Sequence, residues 1–190
     1  MTKKNLFTFK ISPALFILIP LGVVINYLGG MLKIPLWLES IGTVLSALLA
    51  GPIVGAFVGM LNNMIYGLTQ NPISFVYALT QIGVGITAGI FARLGYFKKL
   101  STTIFSGMAI GLVSVLISTP LDIIFWGGET GNVWGDKVFD ALLSSNQPLW
   151  LASFLDELVI GFPDKVLVAV IAFLIYKCLP EKIIVLYEEN

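Results

Sequence analysis

Residues 102–126 read TTIFSGMAIGLVSVLISTPLDIIFW, and Asp122 is the single ionisable side chain in the run. A helix needs about 20 mostly apolar residues to cross a hydrocarbon layer about 30 Å thick, and this run supplies them. Its apolar character is continuous rather than alternating, which argues for a helix and against a β-barrel strand. Gly107, Gly111, Ser118, Asp122 and Trp126 recur at steps of four and seven, so they share one helix face. That face turns from small to polar along the chain.

The rest of the sequence repeats the theme. Of 190 residues, 57% are hydrophobic and 12% charged, with a mean hydropathy of +0.93. A soluble domain of this length has no need of such runs. The expected fold is therefore all-α, an integral membrane bundle forming a single domain over residues 1–190. Six spans are expected. The first covers residues 11–32 and is broken by Pro20; the second, opened by Pro35, covers 36–50. Gly51-Pro52 is a turn signal, and the third span follows to Leu68. The fourth covers 74–94 and the fifth 102–126. A polar stretch, 127–148, is the longest loop. Residues 149–179 are too many for one straight helix, so Gly161-Phe162-Pro163 is expected to divide them into a short extra helix in the outer loop and a final span, closed by Pro180. No small-residue cleavage site follows the first apolar run, so that run is read as a retained helix.

Lys and Arg set the orientation. An even number of spans puts both termini on one side, with Lys3, Lys4, Lys10, Arg93, Lys98, Lys99, Lys177 and Lys182. Lys33, Lys137 and Lys165 fall on the other. Eight cations against three place the termini in the cytoplasm. The membrane-proximal acids then gather at the outer end. Trp37 and Glu39 start the second span, and Asn62, Asn63 and Tyr66 end the third. Tyr77 and Gln81, at i and i+4, share a face of the fourth. Asp122 and Trp126 end the fifth, and Asp156, Glu157, Asp164 and Lys165 flank the start of the last. An ionisable group costs about 2.5–3.5 kcal/mol at a helix centre on insertion scales, so it usually faces water or a partner. Convergence of these groups at one level suggests an outward-facing cavity with apolar walls, orienting hydrogen bonds and rings able to stack on a planar ligand. Taken singly, each residue has a plainer account. Trp37, Trp126, Trp134 and Trp150 fit an interfacial aromatic belt; Asp164 and Lys165 fit a local pair at a helix start; Asn62 and Asn63 fit helix–helix hydrogen bonding.

Gly51, Gly55 and Gly59 form a GxxxGxxxG stripe, and Gly85 with Gly89 and Gly107 with Gly111 repeat the spacing. Such stripes let helices approach closely, within the bundle or against another membrane protein. Several functions lack their residues. The chain has no His and one Cys, Cys178, so an intrachain disulfide is impossible and a soft-ligand metal or haem site is disfavoured. There is no GxxxxGK[ST] and no triad or HExxH, so no cofactor, metal or catalytic residue is expected. Zero net charge argues against a nucleic-acid partner.

Residues 34–43, IPLWLESIGT, followed by LAGPIVGA at 49–56 and GMLNN at 59–63, resemble the substrate-binding S components of energy-coupling factor (ECF) vitamin importers. Those more often carry Asp where Glu39 stands. The similarity continues through the fourth span into Phe162-Pro163-Asp164-Lys165. The resemblance implies a six-helix bundle with cytoplasmic termini, lodged in the bacterial cell membrane. It further implies a chain that binds a vitamin from outside and docks on a transmembrane T component driven by two ATPases, toppling to release its ligand. The resemblance implies that the first three helices face the T component and that the loops with the last three helices form most of the pocket; the substrate-binding residues expected from the topology above are Trp37, Glu39, Asn63, Tyr66, Tyr77, Gln81, Asp122, Trp126 and Asp164. The family often docks through an AxxxA pair on its first helix. This chain lacks the pair, so Gly22 with Asn26, or Gly51, Gly55 and Gly59, are expected to substitute. The whole sequence looks most like the cobalamin branch; riboflavin, pantothenate, a pyrimidine precursor or a queuosine precursor are the alternatives. A membrane sensor or scaffold that moves no solute is the competing function, and a small membrane enzyme is a third.

Overall fold

The apolar runs fold as helices in a computed structural model that describes residues 13–31 and 36–188. Lys3, Lys4, Lys10, Lys33, Pro35 and both expected ends of the first span lie outside the described residues. Among those described, every regular element is helical: α1 (Leu15–Gly30), α2 (Ile41–Ala50), α3 (Pro52–Thr69), α4 (Ala78–Arg93), α5 (Leu100–Trp126), α6 (Val133–Ser144), α7 (Leu149–Cys178) and α8 (Glu181–Glu188). Short 3-10 turns at Pro72–Phe75 and Tyr96–Lys98 join α3 to α4 and α4 to α5. Three helices, α3, α5 and α7, are long and apolar enough to cross a membrane; α1 and α2 are apolar but shorter.

Two closely packed pairs, α5 with α7 and α3 with α4, make up most of the bundle, and α2 lies between them against α1, α3, α4 and α7. Glycines set how near the backbones come. A Cβ at Gly55 would lie 2.5 Å from the Ala47 Cβ and 3.1 Å from the Gly85 carbonyl oxygen. One at Gly59 would sit 2.8 Å from the Gln81 carbonyl oxygen, and one at Gly107 2.7 Å from the Val166 Cα. Each is too close for any side chain. Gly22 and Gly42 meet in the same way where α1 crosses α2.

Beside an apolar core that includes Val44, Val58, Val84, Ile110 and Val168, the usual sorting of side chains is relaxed in both directions. Phe16, Ile17, Leu21, Val24 and Leu28 on α1, and Phe105, Met108, Leu112 and Leu116 on α5, are exposed. Asn26, Thr43, Asn62, Asn63, Asp156 and Asp164 are at most 1% exposed. Water rewards neither choice. A solvent that dissolves apolar surface, with polar groups satisfying one another inside, rewards both.

Several expected boundaries need correction. Pro20 does not break the first helix, since α1 runs through it. Pro163 likewise lies inside an uninterrupted α7, so residues 149–160 are not a separate surface helix. The reason is register. Residues 152, 153, 156, 157, 160, 161, 164, 165, 168, 169, 172 and 173 are all buried, one face that continues across the proline. A break there would swing half of it out of the bundle. The lost Pro163 N–H frees one carbonyl, a defect that neighbouring helices can absorb. The short extra helix instead lies inside the stretch expected to be loop, as α6. Asn132 caps it, its Oδ1 accepting from the Trp134 amide at 3.1 Å, and Phe139 anchors it at 3% exposure. The second helix starts at Ile41 rather than near Leu36, and α8 follows Pro180, where nothing was expected.

Candidate functional site

A cavity of about 490 Å³ opens at one end of the bundle, a volume typical of small-molecule sites. The segment before α2 supplies Trp37 and Glu39, and the last turns of α3 supply Asn63. Tyr77, Thr80 and Gln81 come from the start of α4, Ser114, Ser118, Asp122 and Trp126 from the second half of α5, and Glu157 and Lys165 from α7. The turn before α4 and the segment after α5, including Glu129 and Thr130, form the rim. Trp37, Glu39, Asn63, Tyr77, Gln81, Asp122 and Trp126 are thus brought together from four places in the chain, as expected.

Hydrogen bonds tie the walls into two groups. Trp126 Nε1 donates to Tyr77 Oη at 2.7 Å, and Tyr77 Oη in turn donates to Asp122 Oδ1. An indole nitrogen can only donate, so the tyrosine oxygen is the acceptor there and its own proton is directed at the carboxylate. One turn further along α4, Gln81 Nε2 donates to Ser40 Oγ at 2.8 Å and to Glu39 Oε1 at 3.1 Å. Thr80 and Ser118 share a hydrogen bond of 3.1 Å between α4 and α5. Two acceptors on these walls, Asp122 Oδ2 and Gln81 Oε1, have no partner.

Tyr66 and Asp164 do not line the cavity, and the expectation for both is corrected. Tyr66 turns to α1, donating to the Tyr27 carbonyl at 3.1 Å with ring centroids 4.8 Å apart. Asp164 is fully buried behind the wall: its Oδ2 meets Lys165 Nζ at 2.6 Å and its Oδ1 accepts from the Leu38 amide at 2.9 Å. Leu38 has φ 45°, a left-handed conformation that a leucine rarely adopts. Such a residue persists only where its surroundings hold it, and Asp164 does so, pinning the segment that carries Trp37 and Glu39 to α7.

The five residues expected to dock a partner are all buried between helices of this chain, so their surfaces are already occupied. Gly22 faces Gly42 and Ser46, Gly55 faces Ala47 and Gly85, and Gly59 faces Gln81. Gly51, with φ 89°, forms the turn between α2 and α3. Asn26 caps α2 from a different helix: its Oδ1 accepts from the Gly42 and Thr43 amides at 2.7 and 3.1 Å, and its Nδ2 donates to Thr43 Oγ1 at 2.8 Å. Those amides are among the first of α2, which its own Ser40 side chain leaves unbonded.

Sequence reasoning left out Thr80, Ser114 and Thr130, and placed Ser118, Glu157 and Lys165 near the site without assigning them to it. Ser114 was legible too, one turn before Ser118 and two before Asp122 on the same helix face. Thr130 was not, because it reaches the rim through a tertiary tie: its amide and hydroxyl donate to Asp156 Oδ2 and Oδ1 at 3.1 and 2.8 Å. No family model, curated protein or solved structure matches this chain.

Proposed function

We propose that the chain is the substrate-binding S component of an ECF-type importer, a multi-pass protein of the bacterial cytoplasmic membrane. It captures a vitamin or vitamin precursor from outside and passes it inward with a T component and two ATPases. The observation that carries this reading is the cavity itself. Polar side chains from the segment before α2 and from α3, α4, α5 and α7 converge on one end of a bundle whose exterior is apolar. The six-span topology is proposed from the apolar runs of the sequence: α3, α5 and α7 are long enough to cross, while α1, α2 and α4, at 16, 10 and 16 residues, would need the chain flanking them to complete a span. With the Lys/Arg-rich ends in the cytoplasm, the cavity then opens to the outside. The chain presents no nucleotide-binding loop, so energy has to come from partner subunits.

Cobalamin is the first ligand to test, on the resemblance of the whole sequence. The cavity volume favours a second choice, a smaller vitamin or precursor of the riboflavin, pantothenate, pyrimidine or queuosine type, because about 490 Å³ encloses such a molecule whole and only part of a corrinoid. Co-expression with a T component and two ATPases should yield a stable complex. Uptake of a labelled vitamin by cells lacking their own system should then require all four proteins. A chain that binds a small molecule but never co-purifies with the other subunits would be a sensor or scaffold instead. Mass spectrometry of ligand extracted from purified protein names the molecule.

A further inference from the structure

We propose that the cavity takes a nitrogen-rich ligand that donates N–H bonds and carries no negative charge, a planar amidine- or amine-bearing ring best of all, with Asp122 Oδ2 and Gln81 Oε1 as its acceptors. This rests on reading the cavity as a capture site, and it narrows what is captured.

The donors and acceptors on the walls do not balance. Asp122 is 1% exposed and Gln81 2%, both belong to the cavity lining, and each keeps one buried oxygen without a partner. Neither can be relieved by its neighbours. Tyr77 has one proton, already directed at Asp122 Oδ1 because Trp126 occupies the tyrosine as a donor. Gln81 has two amide protons, one on Ser40 and one on Glu39. A buried acceptor without a donor is destabilised relative to one exposed to water, so a ligand N–H at these two positions replaces what folding removed.

Charge points the same way. Glu39, Asp122, Glu129 and Glu157 line the cavity, while Lys165 is the one cation doing so among the described residues. Its ammonium is paired with Asp164, which lies outside the cavity. A ligand carboxylate would meet several carboxylates and one cation already bonded elsewhere. A positive or neutral N–H group meets two unpartnered acceptors and more carboxylates than cations. Trp37 and Trp126 are part of the lining, and indole rings are the side chains that best attract a cation or a planar cationic group.

Benzamidine, benzamide and benzoate share one ring and nearly one shape, and differ in charge and in donors. Each is titrated into the purified full chain in detergent, with quenching of tryptophan emission as the readout. Benzamidine should bind tightest, benzamide next, and benzoate more weakly than benzamidine by about tenfold or more. Asp122→Asn keeps the shape and should shrink the benzamidine-to-benzoate ratio by about tenfold; Glu157→Gln should shrink it also and serves if the first variant does not fold. Benzoate binding as well as benzamidine, no saturable binding of any of the three, or a ratio unmoved by a folded variant each overturns the assignment. The importer reading fails separately. A complex that assembles and transports around a benzoate-preferring cavity sinks only the ligand class, and a benzamidine-preferring chain that captures no partner subunits sinks only the importer.

Discussion

Asp164 accepts from the Leu38 amide on one oxygen and from the Lys165 ammonium on the other. Removing its carboxylate strands a buried cation and releases a strained turn together. Breaking a buried pair by deleting one partner costs about 3–5 kcal/mol. Asp164→Ala should lower stability by that order in denaturant unfolding from mixed micelles; a loss no larger than that of an exposed substitution would show that the pair is not holding the turn. Tyr77 is the middle of a relay. Tyr77→Phe keeps the ring but leaves Trp126 Nε1 without its acceptor and Asp122 Oδ1 without its donor, and should cost about 1–3 kcal/mol in the same measurement. Full stability in that variant would mean the relay contributes nothing. The sequence made both residues visible as polar groups near a helix end. It did not distinguish Tyr77, which faces the cavity, from Asp164, which stands behind its wall. Asp164 and Lys165 are adjacent, and the direction each side chain takes from α7 depends on what packs against it.

Among the helices, the crossing of α3 with α4 has no spare room. A Cβ at Gly85 would strike the Gly55 and Ala56 backbone, with no flexible side chain to yield. Gly85→Leu should therefore destabilise the bundle beyond the roughly 1–3 kcal/mol typical of overpacking, seen as aggregation or loss of a monodisperse peak in size-exclusion chromatography. A well-behaved variant would mean that the two helices can separate. The start of α2 depends on α1, since Asn26 supplies the cap that Ser40 does not. Asn26→Leu leaves two buried amides without acceptors and should cost about 1–3 kcal/mol in unfolding. An unchanged midpoint would show that another group replaces the cap. Glycine spacing in the sequence announced close crossings and left open whether they lie inside the bundle or on a docking face. Burial of Gly22, Gly55 and Gly59 against their own chain decides for the inside, and any docking surface belongs to other residues.

At the scale of the whole molecule, orientation is testable with a reagent the chain already carries. Cys178 is its one cysteine, is exposed, and ends α7. If the Lys/Arg-rich ends face the cytoplasm, a membrane-impermeant maleimide should label Cys178 only after spheroplasts are permeabilised. Labelling of intact spheroplasts would reverse the topology and turn the cavity inward. Sequence alone determined the helical class and the apolar exterior, because both follow from local composition: long runs without charge have to satisfy their own backbone groups, and a helix does so within one segment. It also determined which end collects the acids and amides, since that depends only on where polar residues fall along each run. Tertiary structure alone decided that α7 continues through Pro163, that a helix forms within 133–144, and which polar groups line the cavity or brace it from behind. Those outcomes turn on contacts between residues far apart in the chain, such as Asp164 with Leu38 and Thr130 with Asp156, and no periodicity within one segment encodes them.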